Sequence, residues 1–189
     1  TLFPYTTLFR SGSKRRTEGG MNVKKGLLFT VILAAVVVLQ TTVMSGMAIR
    51  GVRPDLALLL LVFFSHVLGP MEGKLMGFLL GLTRDFLSLS PFGFHAVVDT
   101  TVGHVFGFTK EKMYIDPVTL PVILAIAATI LKSAWLLVLF AMFLPEKLDS
   151  FFGVSILIEM GLNALAAPFL YAILRVLKLV KDRSSTIFD

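Results

Sequence analysis

Apolar residues in this chain are gathered into long runs that short polar stretches interrupt. Six runs predict six membrane-spanning helices, at residues 26–43, 56–68, 70–87, 94–108, 118–144 and 151–177. The second and fourth runs are short, because a helix needs about 20 apolar residues to cross a bilayer. Gly69-Pro70 and Pro91-Phe92-Gly93 supply turn chemistry between neighbouring runs. The pattern predicts an all-α, polytopic integral membrane protein.

A ridge of glycines marks the third predicted helix. The ridge consists of Gly69, Gly73, Gly77 and Gly81, and the next step of the series is Asp85. Residues four apart lie along one slanted row of a helix. In a membrane, small residues let a neighbouring backbone approach closely. We expect this ridge to pack against the fourth helix, which carries a second small-residue face at Gly103 and Gly107.

Composition agrees with a membrane protein and excludes several kinds of site. Of the 189 residues, 56% are hydrophobic and 16% are charged, whereas a soluble domain has about 45–50% apolar and about 25% charged residues. The chain has no cysteine, which excludes disulfides, thiolate metal sites and cysteine nucleophiles. The loops are too short to hold a separate soluble catalytic domain.

The first twenty residues are set apart from the rest of the chain. Residues 1–11 resemble the translation of a sequencing adapter, and residues 1–20 have no apolar periodicity. We expect 1–20 to be a spurious or disordered leader, with the alternative of a basic cytoplasmic arm, and take Met21 as the start. Residues 21–183 then form a single six-helix membrane domain, and residues 184–189 form a short tail.

The distribution of Lys and Arg predicts the orientation. With the N-terminus inside, the cytoplasmic segments hold nine of these cations and the opposite loops hold four. Short cytoplasmic loops are enriched in Lys and Arg. The chain is therefore expected to be N-in/C-in, as a multi-pass protein of the bacterial inner membrane.

Ionisable residues within apolar helices are candidates for function, because burying them in a bilayer is costly. Asp85 is either a polar anchor or ligand contact, or a helix-end carboxylate beside Arg84 that pairs with another segment; we favour the second. His95 and Asp99 lie four apart on one helix face, so the imidazole can donate to the carboxylate. We interpret them as a structural or proton-sensing pair rather than a metal site, and His104 lies on a different face.

Lys132 and Glu159 lie on consecutive antiparallel helices. At about 1.5 Å per residue, they are about 18 Å and about 12 Å from the connecting turn, a difference that a lysine side chain covers. We predict an ion pair whose role is to neutralise two buried charges. No catalytic, metal or cofactor motif is recognised. The structural or partner-binding candidates are Asp55, Gly73, Gly77, Gly81, Asp85, His95, Asp99, Lys132 and Glu159.

Three segments together resemble the rod shape-determining protein MreD family. They are Gly51-Val52-Arg53-Pro54-Asp55-Leu56, the glycine-rich helix from Gly69-Pro70 to Asp85, and Ser90-Pro91-Phe92-Gly93-Phe94-His95. The resemblance covers residues 21–183 in length and number of spans, and it is most specific over 53–96. The C-terminal half is only generically similar.

The resemblance implies a non-enzymatic component of the bacterial elongation complex that supports lateral peptidoglycan synthesis and cell shape. It implies as partners MreC, the actin-like MreB filament, and a SEDS-family glycosyltransferase with its class B penicillin-binding protein. We predict in addition that the glycine ridge holds the bundle compact and that an outward apolar face binds the single membrane helix of MreC.

Two other classes of function remain open from the sequence. The substrate-binding component of an energy-coupling-factor vitamin transporter is also small and six-spanning. Here His95, Asp99, Trp135 and Asn163 would line the vitamin pocket, although the Ala-x-x-x-Ala docking pattern is missing from the first span. A membrane-embedded enzyme using Asp85, His95 and Asp99 is the least favoured reading, because no recognisable motif supports it.

Overall fold

The computed structural model describes residues 31–33, 35–37, 40, 48, 51–88, 91–110, 119–145 and 153–176. Its regular elements in these ranges are α-helices: α1 (Leu56–Leu68), α2 (Pro70–Leu87), α3 (Phe94–Gly107), α4 (Thr119–Phe143) and α5 (Val154–Val176). Residues 31–33, 35–37 and 40, within the first predicted span, are also helical. The predicted leader (1–20) and tail (184–189) lie outside the described residues.

Local chemistry determines where α1 and α2 begin and end. Asp55 caps α1 by accepting a hydrogen bond from the Leu58 N–H at 3.0 Å. Gly69, with φ of 117°, separates α1 from α2, and Pro70 occupies the first turn of α2, where its missing N–H costs nothing. The bounds of α1 and α2 match those predicted from the sequence. The other three helices are one to three residues shorter at some ends.

Helix α1 forms the centre of the molecule. Nine consecutive residues, from Ala57 to Ser65, are buried, and α1 contacts α2, α3, α4 and α5. A helix that is apolar on all sides is buried on all sides. This burial explains how a 13-residue helix, too short to cross a bilayer alone, is accommodated.

The glycine ridge of α2 packs directly on α3, as predicted. A Cβ added at Gly77 would lie less than 3.0 Å from the backbone of Asp99 and Thr100, and one at Gly81 would meet the backbone of Ala96 equally closely. Gly103 on α3 packs in the same way against the backbone of Gly73 on α2. Even an alanine at these positions would require the helices to separate. We call this interface the glycine seam.

Two described helices are long and apolar enough to cross a membrane: Thr119–Phe143, with mean hydropathy 2.3, and Val154–Arg175, with mean hydropathy 1.7. Both expose large apolar side chains, such as Ile130 and Phe169. Length and composition thus support membrane association through α4 and α5. The predicted count of six spans remains a proposal.

Candidate functional site

A network of buried ion pairs centres on Asp55, at the start of α1. One carboxylate oxygen, Oδ1, accepts from the Arg84 guanidinium at the end of α2. The other, Oδ2, lies 2.7 Å from Lys132 Nζ on α4. The side chains of Asp55, Arg84 and Lys132 are only 8%, 12% and 13% exposed. Asp55 therefore joins three segments that are distant in the sequence.

Lys132 extends the network to α5. Its Nζ donates to Glu159 Oε1 at 2.6 Å while also donating to Asp55. The Lys132–Glu159 pair predicted from helix geometry is therefore present, and Asp55 is an additional partner. Removing one member of such a pair leaves an uncompensated buried charge, which commonly costs about 3–5 kcal/mol.

Arg84 also reaches Asp99 on α3, across the glycine seam. Its Nη1 lies 3.4 Å from Asp99 Oδ1, a long hydrogen bond. The other carboxyl oxygen, Asp99 Oδ2, is buried with no hydrogen-bond partner in the described part of the chain. Arg84 thus links Asp55 and Asp99, which the sequence did not pair.

The side-chain amide of Asn163 binds the backbone of Asp55 at the centre of the network. The Asp55 N–H donates to Asn163 Oδ1 at 2.6 Å, and Asn163 Nδ2 donates to Thr129 Oγ1 at 3.0 Å. Gln40, in the first predicted span, bonds both the Pro54 carbonyl and the Ala57 N–H. These contacts fix the turn that presents the Asp55 carboxylate to its cations.

The predicted hydrogen bond between His95 and Asp99 is not formed. His95 Nδ1 instead lies 3.0 Å from Asp85 Oδ1. Asp85 also accepts from the backbone N–H groups of Gly93, His95 and Ala96, at 2.9, 2.9 and 3.1 Å. The free N–H groups of a helix N-terminus attract a carboxylate. Asp85, brought close by the turn at Pro91-Phe92-Gly93, therefore holds the start of α3 and also bonds the imidazole.

An open cavity of about 230 Å³ borders the network. Its lining consists of Val37, Gln40, Arg53, Asp55, Arg84, Leu87, Ser88, His95 and Lys132. Five of these side chains are ionisable, so the cavity is polar and charged. Three of the residues suggested for a vitamin pocket, Asp99, Trp135 and Asn163, do not line it.

The predicted candidates thus divide into three places. One charge network contains Asp55, Asp99, Lys132 and Glu159. Beside this network lie Asp85 and His95. The glycine seam contains Gly73, Gly77 and Gly81. The sequence reading missed Arg84 and Asn163 as members. Polar residues within apolar runs were the available signal, but the spacing within one helix does not identify a partner on another helix, as with Arg84 and its partners Asp55 and Asp99.

No group of three or more His, Asp or Glu side chains in the described residues has the arrangement of a metal site. The network residues pair with one another, and most of their polar atoms are satisfied internally. Internal pairing on this scale favours positioning of helices over capture of a metal ion.

Buried ion pairs, a glycine seam and two lipid-compatible helices define a small, all-helical, membrane-associated protein. The chain belongs to the rod shape-determining protein MreD family, whose model matches residues 22–178. This family determines rod shape. No curated protein and no solved structure matches the chain.

Proposed function

We propose that this protein is a non-enzymatic, multi-pass component of the bacterial inner membrane that supports lateral peptidoglycan synthesis within the elongation complex. The observation that carries the proposal is the match to the MreD family over residues 22–178. Its proposed partners are MreC, MreB, and a SEDS-family glycosyltransferase with its class B penicillin-binding protein.

The described structure supports a scaffolding mechanism. The glycine seam fixes α2 on α3, and the charge network ties this pair to α4 and α5 through Arg84 and Lys132. A bundle held from within leaves its outer apolar surface free to bind another helix. We propose that this surface, which includes Leu165 and Phe169 on α5, binds the membrane helix of MreC.

The proposed orientation is N-in/C-in with six spans. In that orientation, Asp55, the end of α2 and the start of α3 are at the outer side of the membrane. The charge network and its cavity then lie in the outer half of the bundle, on the side where peptidoglycan is assembled.

Complementation of cell shape tests the proposed function. In a rod-shaped bacterium depleted of its own MreD, we expect this protein to restore rods when expressed with its cognate MreC. The matched control is MreC alone, which we expect to leave cells rounded. Rounded cells, despite membrane expression of both proteins and their co-purification, would contradict the proposal.

The vitamin-transporter alternative has no specific observation in its favour. Ligand pockets for small molecules are mostly apolar with a few placed polar groups, whereas this cavity is lined by five ionisable side chains. Asp99 and Asn163 are buried and do not line it. Family membership and the character of the cavity both favour the shape-determining role.

A further inference from the structure

The charge network contains more carboxylates than cations. Asp55, Asp99 and Glu159 supply three carboxylates, while Arg84 and Lys132 supply two positive charges. Fully ionised, the five side chains would hold a net charge of −1 with no more than 17% exposure of any member. An isolated buried charge is so costly that it is normally paired or neutralised.

Asp99 is the carboxylate with the weakest compensation. Its side chain is 1% exposed, its Oδ1 has the long contact of 3.4 Å to Arg84, and its Oδ2 has no partner among the described residues. Asp55 by contrast receives both cations and a backbone N–H. Glu159 has the short bond to Lys132 at 2.6 Å and is the most exposed of the three.

The groups around Asp99 leave little besides a proton to supply the missing charge. Asp85 adds a further negative charge from α2, already satisfied by the start of α3, and His95 hydrogen-bonds to that carboxylate. Arg53 lines the cavity but forms no ion pair with a described carboxylate. A metal ion would require several oxygen ligands, and Asp99 Oδ2 offers one. The charged groups that act on Asp99 are Asp55, Arg84, Asp85 and Lys132.

We infer that Asp99 is a proton-binding site: its carboxyl is held neutral at physiological pH, with the proton on Oδ2 and Arg84 bonded to Oδ1. Adding one proton balances the five side chains, because two carboxylates then face two cations. The neutral hydroxyl is also less costly to bury without a partner than an ionised oxygen.

Infrared difference spectroscopy tests this inference on the full chain in nanodiscs at neutral pH. A protonated carboxyl group has a C=O stretching band that an ionised carboxylate lacks. We expect this band in the wild type and its loss in Asp99→Asn, with Glu159→Gln as the matched control that retains it. Loss of the band in Glu159→Gln alone, or no band in the wild type, would overturn the assignment.

Thermal unfolding supplies a second measurement that does not depend on spectral assignment. Asparagine resembles a neutral aspartic acid in shape, so Asp99→Asn should unfold within about 1 °C of the wild type, below the 2–4 °C shift that about 1 kcal/mol produces in a domain of 150–250 residues. Asp55→Asn removes a paired charge and should lower the midpoint clearly. If Asp99→Asn lowers it as much as Asp55→Asn does, Asp99 is ionised and the inference fails.

Discussion

Lys132 supplies the charged link between α4, α5 and the start of α1. Its ammonium group is the shared partner of Asp55 and Glu159, at 2.7 and 2.6 Å. These two carboxylates would repel each other without it. The lysine therefore neutralises both carboxylates where α1, α4 and α5 meet, at the edge of the cavity.

Replacing Lys132 should destabilise the protein strongly. We expect Lys132→Met to lower the free energy of unfolding by about 3–5 kcal/mol, because two buried carboxylates lose their common cation. Reversible denaturation in mixed detergent micelles measures this change. Adding Glu159→Leu should recover part of the loss, since one unpaired charge is removed with its partner. Simple additivity of the two substitutions would contradict direct coupling.

Asn163 is expected to contribute to the stability of the protein although it has no charge. Asn163→Leu leaves the buried Asp55 N–H without an acceptor and removes the donor to Thr129. We expect a loss of about 1–3 kcal/mol in the free energy of unfolding, by the same denaturation measurement. The control is Leu165→Ala on the same helix, whose side chain is 69% exposed and which should change stability far less in detergent.

At the residue scale, the sequence indicated which residues were important more readily than it indicated their partners. The Lys132–Glu159 pair was predictable because both helices share one short turn, which fixes their relative depth. The Asp55–Arg84 contact, 29 residues apart across Gly69, was open to the same argument. The Asp55–Asn163 contact joins segments 108 residues apart. No local spacing reports such a distance. His95 was assigned the wrong carboxylate because its partner, Asp85, lies across the turn on α2 rather than on its own helix.

At the element scale, the glycine seam is the feature that the sequence predicted most fully. Repetition at every fourth residue defines one helix face, and a face without side chains requires a partner at close range. Proline and glycine at positions 69, 70, 91 and 93 then determined the helix ends. These signals are local, which explains why α1 and α2 were predicted to the residue while the packing around α4 was not.

Substituting the seam should separate α2 from α3. Gly77→Leu would place a side chain on the backbone of Asp99, so we expect lower thermal stability and reduced co-purification of MreC. Gly81→Leu should have the same two effects as Gly77→Leu. Gly161→Leu on α5 is the control for thermal stability, because an added Cβ there meets no atom within 4 Å. MreC recovery unchanged by both seam variants, at normal expression, would count against the seam's role in partner binding.

At the scale of the whole molecule, the proposed orientation makes a direct prediction. Met71, at the start of α2, and Phe92, in the turn between α2 and α3, are comparably exposed, at 69% and 65%. In the N-in/C-in arrangement, Phe92→Cys should react with a membrane-impermeant maleimide in intact spheroplasts, and Met71→Cys should react only after lysis. The chain has no native cysteine to compete. The reverse labelling pattern would show that the orientation is opposite to the one proposed.

The buried charge network also has a consequence for how the chain enters the membrane. On the biological insertion scale, a charged side chain at a helix centre costs about 2.5–3.5 kcal/mol, and α2 is not among the described helices that are long and apolar enough to cross alone. Asp55, Arg84 and Asp99 are synthesised before Lys132 and Glu159. In the proposed topology, the early helices must therefore wait at the translocon, or in a hydrated site beside it, until α4 and α5 arrive. Biogenesis of this protein is then completed from its C-terminal half.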